Sequence, residues 1–180
     1  MTDVRLRKRH RMRQKDIASV ASAIEAATGA RVFSASDTVD MAEGPGYDAI
    51  MVDGKVMAVV MDGVPFLTVR GLLRYPATKG YVTVDMGAVR FVANGADVMG
   101  PGVVDADPGI AEGVMVWIRD ERNRRPLAIG RALVTGEAMR SKPKGKVVSS
   151  VHFVGDKLWL VDEEEEEAEE EGEGPPEPDQ

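Results

Sequence analysis

The sequence predicts an α+β protein with two small domains, an α/β domain followed by a β-barrel-like domain, and an acidic tail. A chain of 180 residues is long enough for two modest cores. Its 19 glycines and its low aromatic content of 5% favour short strands and turns over long helices. Composition and turn signals place the first domain at residues 1–77, the second at 78–161 and the tail at 162–180.

Residue usage excludes several classes of protein. Cysteine is absent and there are only two histidines, His10 and His152, so we expect no disulfide, no metal site and no metal cofactor. The longest apolar run, from Val56 to Met61, is far too short to span a membrane. The basic N-terminus lacks the apolar core of a signal peptide. These features indicate a cytoplasmic protein that does not insert into membranes.

The net charge of −7 divides unevenly along the chain. Residues 162–180 carry twelve acidic groups and no basic one, so the rest of the chain has eighteen acids against twenty-three bases, a net charge of +5. A basic body is suited to a polyanionic partner. The tail cannot bury enough apolar surface to fold, so we predict that it is disordered. It serves solubility, or it occupies the basic surface and weakens indiscriminate RNA binding.

The first domain opens with a cluster of seven basic residues between positions 5 and 15, which we call the arm. Two interpretations stay open for it, a solvated, disordered segment or a set of phosphate contacts. The candidate phosphate-binding residues in the arm are Arg5, Arg7, Lys8, Arg9, Arg11 and Arg13.

The rest of the first domain is predicted as a helix followed by strands. Asp16 is expected to cap a helix that runs through Thr28, and Gly29 to end it. Five strands are expected after it, with Asp-Gly pairs as hairpin turns between the last three. They are Arg31–Ala35, Thr38–Ala42, Asp48–Val52, Lys55–Met61 and Val64–Val69. A helical turn at Arg70–Tyr75 is expected before Pro76.

The stretch from Tyr81 to Gly102 organises the second domain. Tyr81–Val84 has strand composition, Asp85 can cap a following helix, and Asn94-Gly95 can close that helix in a left-handed turn. Many side chains from 85 to 102 are small, and we call this segment the ledge. It is either a well-capped helix in a β-rich domain or a docking surface for a nucleic-acid backbone.

Short strands fill the remainder of the second domain. Val114–Arg119 and Pro126–Leu133 form a hairpin with a charged tip, and a further strand runs through Phe153. Lys157–Leu160, with Trp159, is expected to close the run of strands as a nearly closed barrel. His152 is interpreted as a structural histidine, because no nucleophile elbow accompanies it. No Walker loop or dinucleotide fingerprint occurs, so we expect no enzyme activity and no cofactor.

Several motifs, taken in order, resemble a known family. DMGAVRFVANGADVMGPGVVDAD, RPLAIGRALVTGEAM, GKVV and VHFVGDKLW are similar to a PUA domain over roughly residues 76–160. The preceding residues, with LRKRHRMR and PFLTVRGLLRYP, resemble the pre-PUA domain of the branch that contains archaeal PUA proteins, the malignant T-cell amplified sequence protein and ligatin. The acidic tail has no counterpart in that pattern.

The resemblance implies an RNA-binding protein without catalysis. RNA would act as the ligand at the ledge, from a tRNA acceptor end or rRNA at the small ribosomal subunit, with a partner similar to density-regulated protein. The alternative is the RNA-guiding subunit of an RNA-modification enzyme. Close approach of RNA is expected at Gly87, Ala88, Gly95, Ala96, Met99, Pro101 and Gly102, and polar contacts at Arg90, Asn94 and Arg131.

Overall fold

The computed structural model describes residues 5–163, which form two β-sheets with short helices around them. The strands are β1 Arg7–Arg11, β2 Val39–Glu43, β3 Asp48–Val52, β4 Lys55–Met61, β5 Val64–Leu67, β6 Tyr81–Val84, β7 Val98–Met99, β8 Val103–Ala106, β9 Met115–Asp120, β10 Pro126–Ala132 and β11 Lys146–Phe153. The helices are α1 Gln14–Thr28, α2 Val69–Arg74, α3 Met86–Val92 and α4 Gly136–Arg140, with a further helix at 157–163.

The first sheet is an antiparallel meander in the order β1-β2-β3-β4-β5. The predicted turns at Asp53-Gly54 and Asp62-Gly63 are confirmed, because all four residues have positive φ, as two-residue hairpin turns with the correct twist require. Helix α1 packs beside this sheet and ends at Gly29, whose φ of 73° is left-handed, as predicted. The helix begins after Arg13 rather than at Asp16, which lies in its first turn.

The arm is not a disordered segment. Residues 7–11 form β1, an edge strand that pairs with β2 in the register Arg11↔Asp40. The side chains of Arg9 and Arg11 both donate to Asp40, at 2.9 and 2.6 Å, and Lys8 lies 3.5 Å from Glu43. These cross-strand ion pairs give the basic side chains acidic partners and so help to hold the arm in a strand.

The second sheet has the order β7-β11-β10-β9-β6-β8 and confirms the predicted barrel-like architecture. Its pairs are antiparallel except for β6 with β9, which run parallel. The two outer strands, β7 and β8, are consecutive in the chain and are joined by a single 3₁₀ turn, Gly100–Gly102. The sheet is therefore nearly closed, and the α+β fold is confirmed.

Several local predictions were wrong. Arg31–Ala35 is not a strand: Phe33 has a φ of 60°, and Ser34 and Asp37 close a turn. Neither β8 nor α4 was predicted, since each has five residues or fewer and little periodicity. Lys157–Leu160 is helical rather than extended, because the Asp156 carboxylate accepts from the backbone N–H of Trp159 and caps the helix at 157–163.

The helix at 157–163 carries the end of the second half back onto the first sheet. Leu158 and Val161 lie in the same buried cluster as the first sheet's side chains. Asp162, which the prediction assigned to the disordered tail, is 2% exposed, accepts from Val56 N at 3.0 Å and lies 2.8 Å from Arg70 Nε. Asp162 therefore belongs to the folded part. Residues 164–180, the rest of the predicted tail, lie outside the described residues.

His152 also joins the two halves, next to the helix at 157–163. It is 2% exposed, its Nδ1 lies 2.8 Å from Asp156, and its Nε2 accepts from Val69 N at the start of α2. The interpretation of His152 as a structural histidine is confirmed. Trp159 is covered by the guanidinium of Arg70, 4.0 Å from the ring centroid, which agrees with its expected role in closing the fold. Between residues 5 and 163, no helix has the length and apolar character needed to cross a bilayer.

Four aspartates make the fold sensitive to acid. Burial raises the pKa of Asp40, Asp120 and Asp156, but hydrogen bonds from arginine, backbone N–H groups and His152 outweigh it and leave each pKa below the ordinary 3.8. The pKa of Asp97 is lowered mainly by the Ser150 N–H and by Lys146.

Carboxyls with lowered pKa values stabilise the fold above the unfolded-state pKa, and this contribution is lost as the pH falls through the folded-state values. We therefore expect the free energy of unfolding to decline below about pH 4. Urea midpoints measured at pH 7 and pH 3 check this. Asp120→Asn should show a smaller acid-induced decline than the wild type, and equal midpoints at both pH values for the wild type would contradict the expectation.

Candidate nucleic-acid interface

The ledge begins where β6 ends and α3 starts. Asp85 has extended backbone angles, and its Oδ1 accepts from Ala88 N at 2.8 Å, so the predicted N-cap of α3 is confirmed. Val92 lies on the buried face of α3, while Gly87 and Arg90 are exposed. The helix thus buries one face in the second sheet's core and leaves its outer face open.

Close backbone packing fixes the far end of the ledge. Gly100 is buried, its N–H donates to Gly145 O at 2.8 Å, and a Cβ added there would lie 1.7 Å from Pro143 O. Gly95 has a φ of 96°, and its α-carbon faces the ring of Phe153. Glycine is required at Gly95 for its conformation and at Gly100 for space.

A cleft of about 470 Å³ opens between α3 and β7. Its walls are mostly small or apolar, with Ala88, Ala96 and Gly102 among them, and two large apolar side chains project at its rim. Phe91 is 56% exposed and Met99 is 47% exposed. Lys146, from β11, brings a cation to the cleft and pairs with Asp97 at 3.0 Å.

Four of the nine predicted ledge residues line this cleft. Ala88, Ala96, Met99 and Gly102 line it directly. Arg90 is exposed, with its guanidinium 4.9 Å from the centre of the Phe91 ring, and Asn94 donates to the Arg90 carbonyl. The remaining members of the predicted set are Gly87, Gly95 and Pro101, which are partly or fully exposed on the same segment. Their role in RNA binding stays a prediction.

Arg131 and the arm lie apart from the ledge. Arg131 donates to Gly113 O and lies 3.5 Å from Asp62 of the first sheet, so its contacts are at the junction of the two halves. The arm forms the edge of the first sheet, and its exposed cations there remain candidates for phosphate contacts. Among residues 5–163, no group of three acidic or histidine side chains could hold a metal ion.

Sequence reasoning missed Phe91, Asp97 and Lys146 as members of the cleft. Phe91 carried a signal, since this large aromatic residue falls outside the apolar face of Ala88, Val89, Val92 and Ala93. Lys146 belongs to the GKVV motif but was not predicted as a contact. Its place beside β7 follows from the pairing Lys146↔Met99, which joins residues distant in the chain.

The comparisons with known proteins identify the family of the chain. The family model of the PUA domain matches residues 80–154. An uncharacterised protein of Methanocaldococcus jannaschii is 35% identical over 156 residues, covering 86% of this chain and 96% of that protein. The chain belongs to the PUA-domain family.

A solved archaeal structure has the same fold. The crystal structure of a hypothetical protein from Pyrococcus horikoshii superposes with a TM-score of 0.75 at 35% identity, covering 86% of this chain and 99% of that one. Translation machinery-associated protein 20 of Saccharomyces cerevisiae is 32% identical over 114 residues, which cover 60% of this chain and 63% of the yeast protein. The predicted branch, with archaeal PUA proteins and the malignant T-cell-amplified sequence relatives, is confirmed. The match spans somewhat more than half the length of the eukaryotic relatives.

Proposed function

We propose that this PUA protein binds RNA without catalysing a reaction, and that a single-stranded RNA end enters the cleft of the ledge. The observation that carries the proposal is that the ledge is open rather than covered by the first half of the chain. Its cleft lies between α3 and β7 with Phe91 and Met99 exposed at the rim. Such an exposed pair suits a ligand with flat apolar faces.

The chemistry of the cleft matches that of an unpaired nucleotide. Unstacked bases bind to proteins by stacking on aromatic rings and arginine planes, and the Phe91 ring with the adjacent Arg90 offers both. Lys146 provides a cation for a phosphate, and the small side chains of Ala88 and Ala96 allow the ribose-phosphate chain to approach closely. The cleft volume of about 470 Å³ accommodates one or two nucleotides.

The relatives favour a role in translation. The yeast relative is by name associated with the translation machinery, and the chain's own branch suggests a tRNA acceptor end or rRNA at the small ribosomal subunit as the ligand. A protein similar to density-regulated protein is the corresponding partner, and the cytoplasm the corresponding compartment. Capture of ribosomal subunits from cell extract supports this role, whereas capture of a modification enzyme supports the RNA-guiding alternative.

Filling the cleft tests the proposal. Ala96→Phe places a ring where the RNA would lie, so we expect its Kd for a short CCA-ended RNA to rise more than about tenfold, the loss of roughly one stacked base. Fluorescence anisotropy measures the change. Ala111→Phe, at an exposed alanine in the turn before β9, should bind like the wild type. Unchanged affinity of Ala96→Phe would overturn the proposed surface.

A further inference from the structure

The loop between β9 and β10, residues 120–125, is held by one buried carboxylate, and we call this loop the tip. Asp120 is 5% exposed and accepts from the backbone N–H groups of Arg122, Asn123 and Arg125 at 2.9, 2.6 and 3.1 Å. Although burial raises the pKa of Asp120, these backbone hydrogen bonds lower it below its ordinary value. The carboxylate therefore stays ionised at neutral pH and fixes the backbone of the tip.

The fixed backbone presents three arginines to solvent. Arg122, Arg124 and Arg125 are exposed, and no acidic side chain within residues 5–163 forms an ion pair with any of them. Arg124 has a φ of 54°, a left-handed conformation that L-residues seldom adopt and that collects at functional sites. A turn whose only task was to reverse the chain would be better served by glycine or asparagine at this position.

A fourth cation lies behind the tip. The guanidinium of Arg119 is 3.8 Å from the centre of the Tyr81 ring and donates to Thr83 Oγ1. Burial lowers the pKa of Arg119, and the charge of Arg124 lowers it further. The tip is thus a concentrated positive site.

The tip lies beside the start of the ledge. Strands β6 and β9 run parallel, and Val84 lies opposite Asp120. The C-terminal ends of these two strands therefore lie side by side, and α3 follows one of them while the tip follows the other. Glu121 Oε1 accepts from Met86 N at 3.2 Å and joins the tip to the first residue of α3. An RNA strand that leaves the ledge at this end would run toward the arginines of the tip.

We propose that the tip is a phosphate-binding anchor for the RNA strand whose end occupies the cleft of the ledge. This inference rests on the proposed function. Guanidinium groups match phosphate oxygens in pairs, and a fixed backbone reduces the conformational entropy lost on binding. The carboxylates of an acidic peptide could bind the same guanidinium groups. RNA is favoured because the tip lies next to the ledge, where the RNA end is proposed to bind.

Two RNA lengths separate the tip from the ledge. A single strand of about two nucleotides fills the cleft alone, and one of about twelve extends toward the tip. The test variants are the double variant Arg122→Gln/Arg125→Gln and the single variant Arg124→Gly. Arg124→Gly should fold well, because glycine adopts the left-handed backbone conformation of this position without strain. Arg31→Gln/Lys157→Gln removes the same number of exposed charges from residues that belong neither to the cleft lining nor to the tip.

We expect the tip variants to bind the long RNA about three- to tenfold more weakly and the short RNA like the wild type. The slope of log K against log salt for the long RNA should fall by about 0.7 for each arginine lost. The control variant should keep the wild-type affinity for both lengths, and a loss equal to that of the tip variants would overturn the anchor as a general charge effect.

The failure of the inference differs from that of the proposed function. If Ala96→Phe weakens both RNAs while the tip variants bind both like the wild type, the anchor is overturned and the ledge stands. This holds even if the tip variants lose affinity for a polyglutamate peptide, which would assign the tip to a protein partner. If Ala96→Phe leaves both affinities unchanged, the proposed function itself fails.

Discussion

Asp162→Ala is expected to lower the free energy of unfolding by about 3 kcal/mol, since it leaves a largely buried cation without its carboxylate. The side chain of Arg70 is only 18% exposed and its Nε lies 2.8 Å from Asp162 Oδ2. The substitution also removes the acceptor of the buried Val56 N–H. Urea unfolding followed by tryptophan fluorescence measures the loss.

The neighbouring residue supplies a matched control. Glu163 lies 3.7 Å from Arg70, but its side chain is 49% exposed, so Glu163→Ala should cost less than about 1 kcal/mol. A chain that ends at residue 161, and so lacks Asp162, should likewise be less stable than one that ends at residue 163. Equal stabilities of the two alanine variants would show that the buried pair contributes no more than a surface pair.

Gly100→Ala is expected to destabilise the protein by about 2–3 kcal/mol and to displace the ledge, because overpacking forces the backbone apart. The added methyl group would lie 1.7 Å from Pro143 O, which cannot move as a side-chain end can. The Gly100 N–H would separate from Gly145 O, and β7 would shift relative to β11. Thermal unfolding and affinity for CCA-ended RNA should both report the change.

Gly87→Ala is the matched control for this effect. Gly87 lies in the exposed first turn of α3, and an added Cβ would meet only Asp85 Oδ1, at 3.3 Å. Alanine has the higher helix propensity, so stability should stay the same or rise by up to about 1 kcal/mol. A large loss of stability in Gly87→Ala would show that the effect at Gly100 does not come from its close backbone contact.

Local signals predicted the elements that depend on short-range chemistry. Asp53-Gly54, Asp62-Gly63 and the Asp85 cap specify their conformations within a few residues, and each matches the structure. The helix at 157–163 also carried a local signal, because Leu158 and Val161 are three residues apart behind the capping Asp156. We predicted a strand there because the residue composition of Lys157–Leu160 also fits a strand.

Features that depend on distant pairing could not be read from the sequence. The arm becomes a strand because Asp40, about thirty residues away, accepts from both Arg9 and Arg11. Lys146 reaches the cleft through its pairing with Met99, and the tip reaches α3 through the parallel pairing of β6 and β9. A set of candidate residues from 85 to 102 was within reach of sequence reasoning, whereas the cations that complete the surface were not.

The hydrogen bond between Val56 and Asp162 joins residues 106 positions apart, so it has a consequence for biosynthesis. Val56 leaves the ribosome long before Asp162 has been translated. Contacts of such separation form late, because the intervening loop must close first. Arg70 and the apolar surface that Leu158 covers therefore stay exposed in the nascent chain until residues 157–163 emerge from the ribosome.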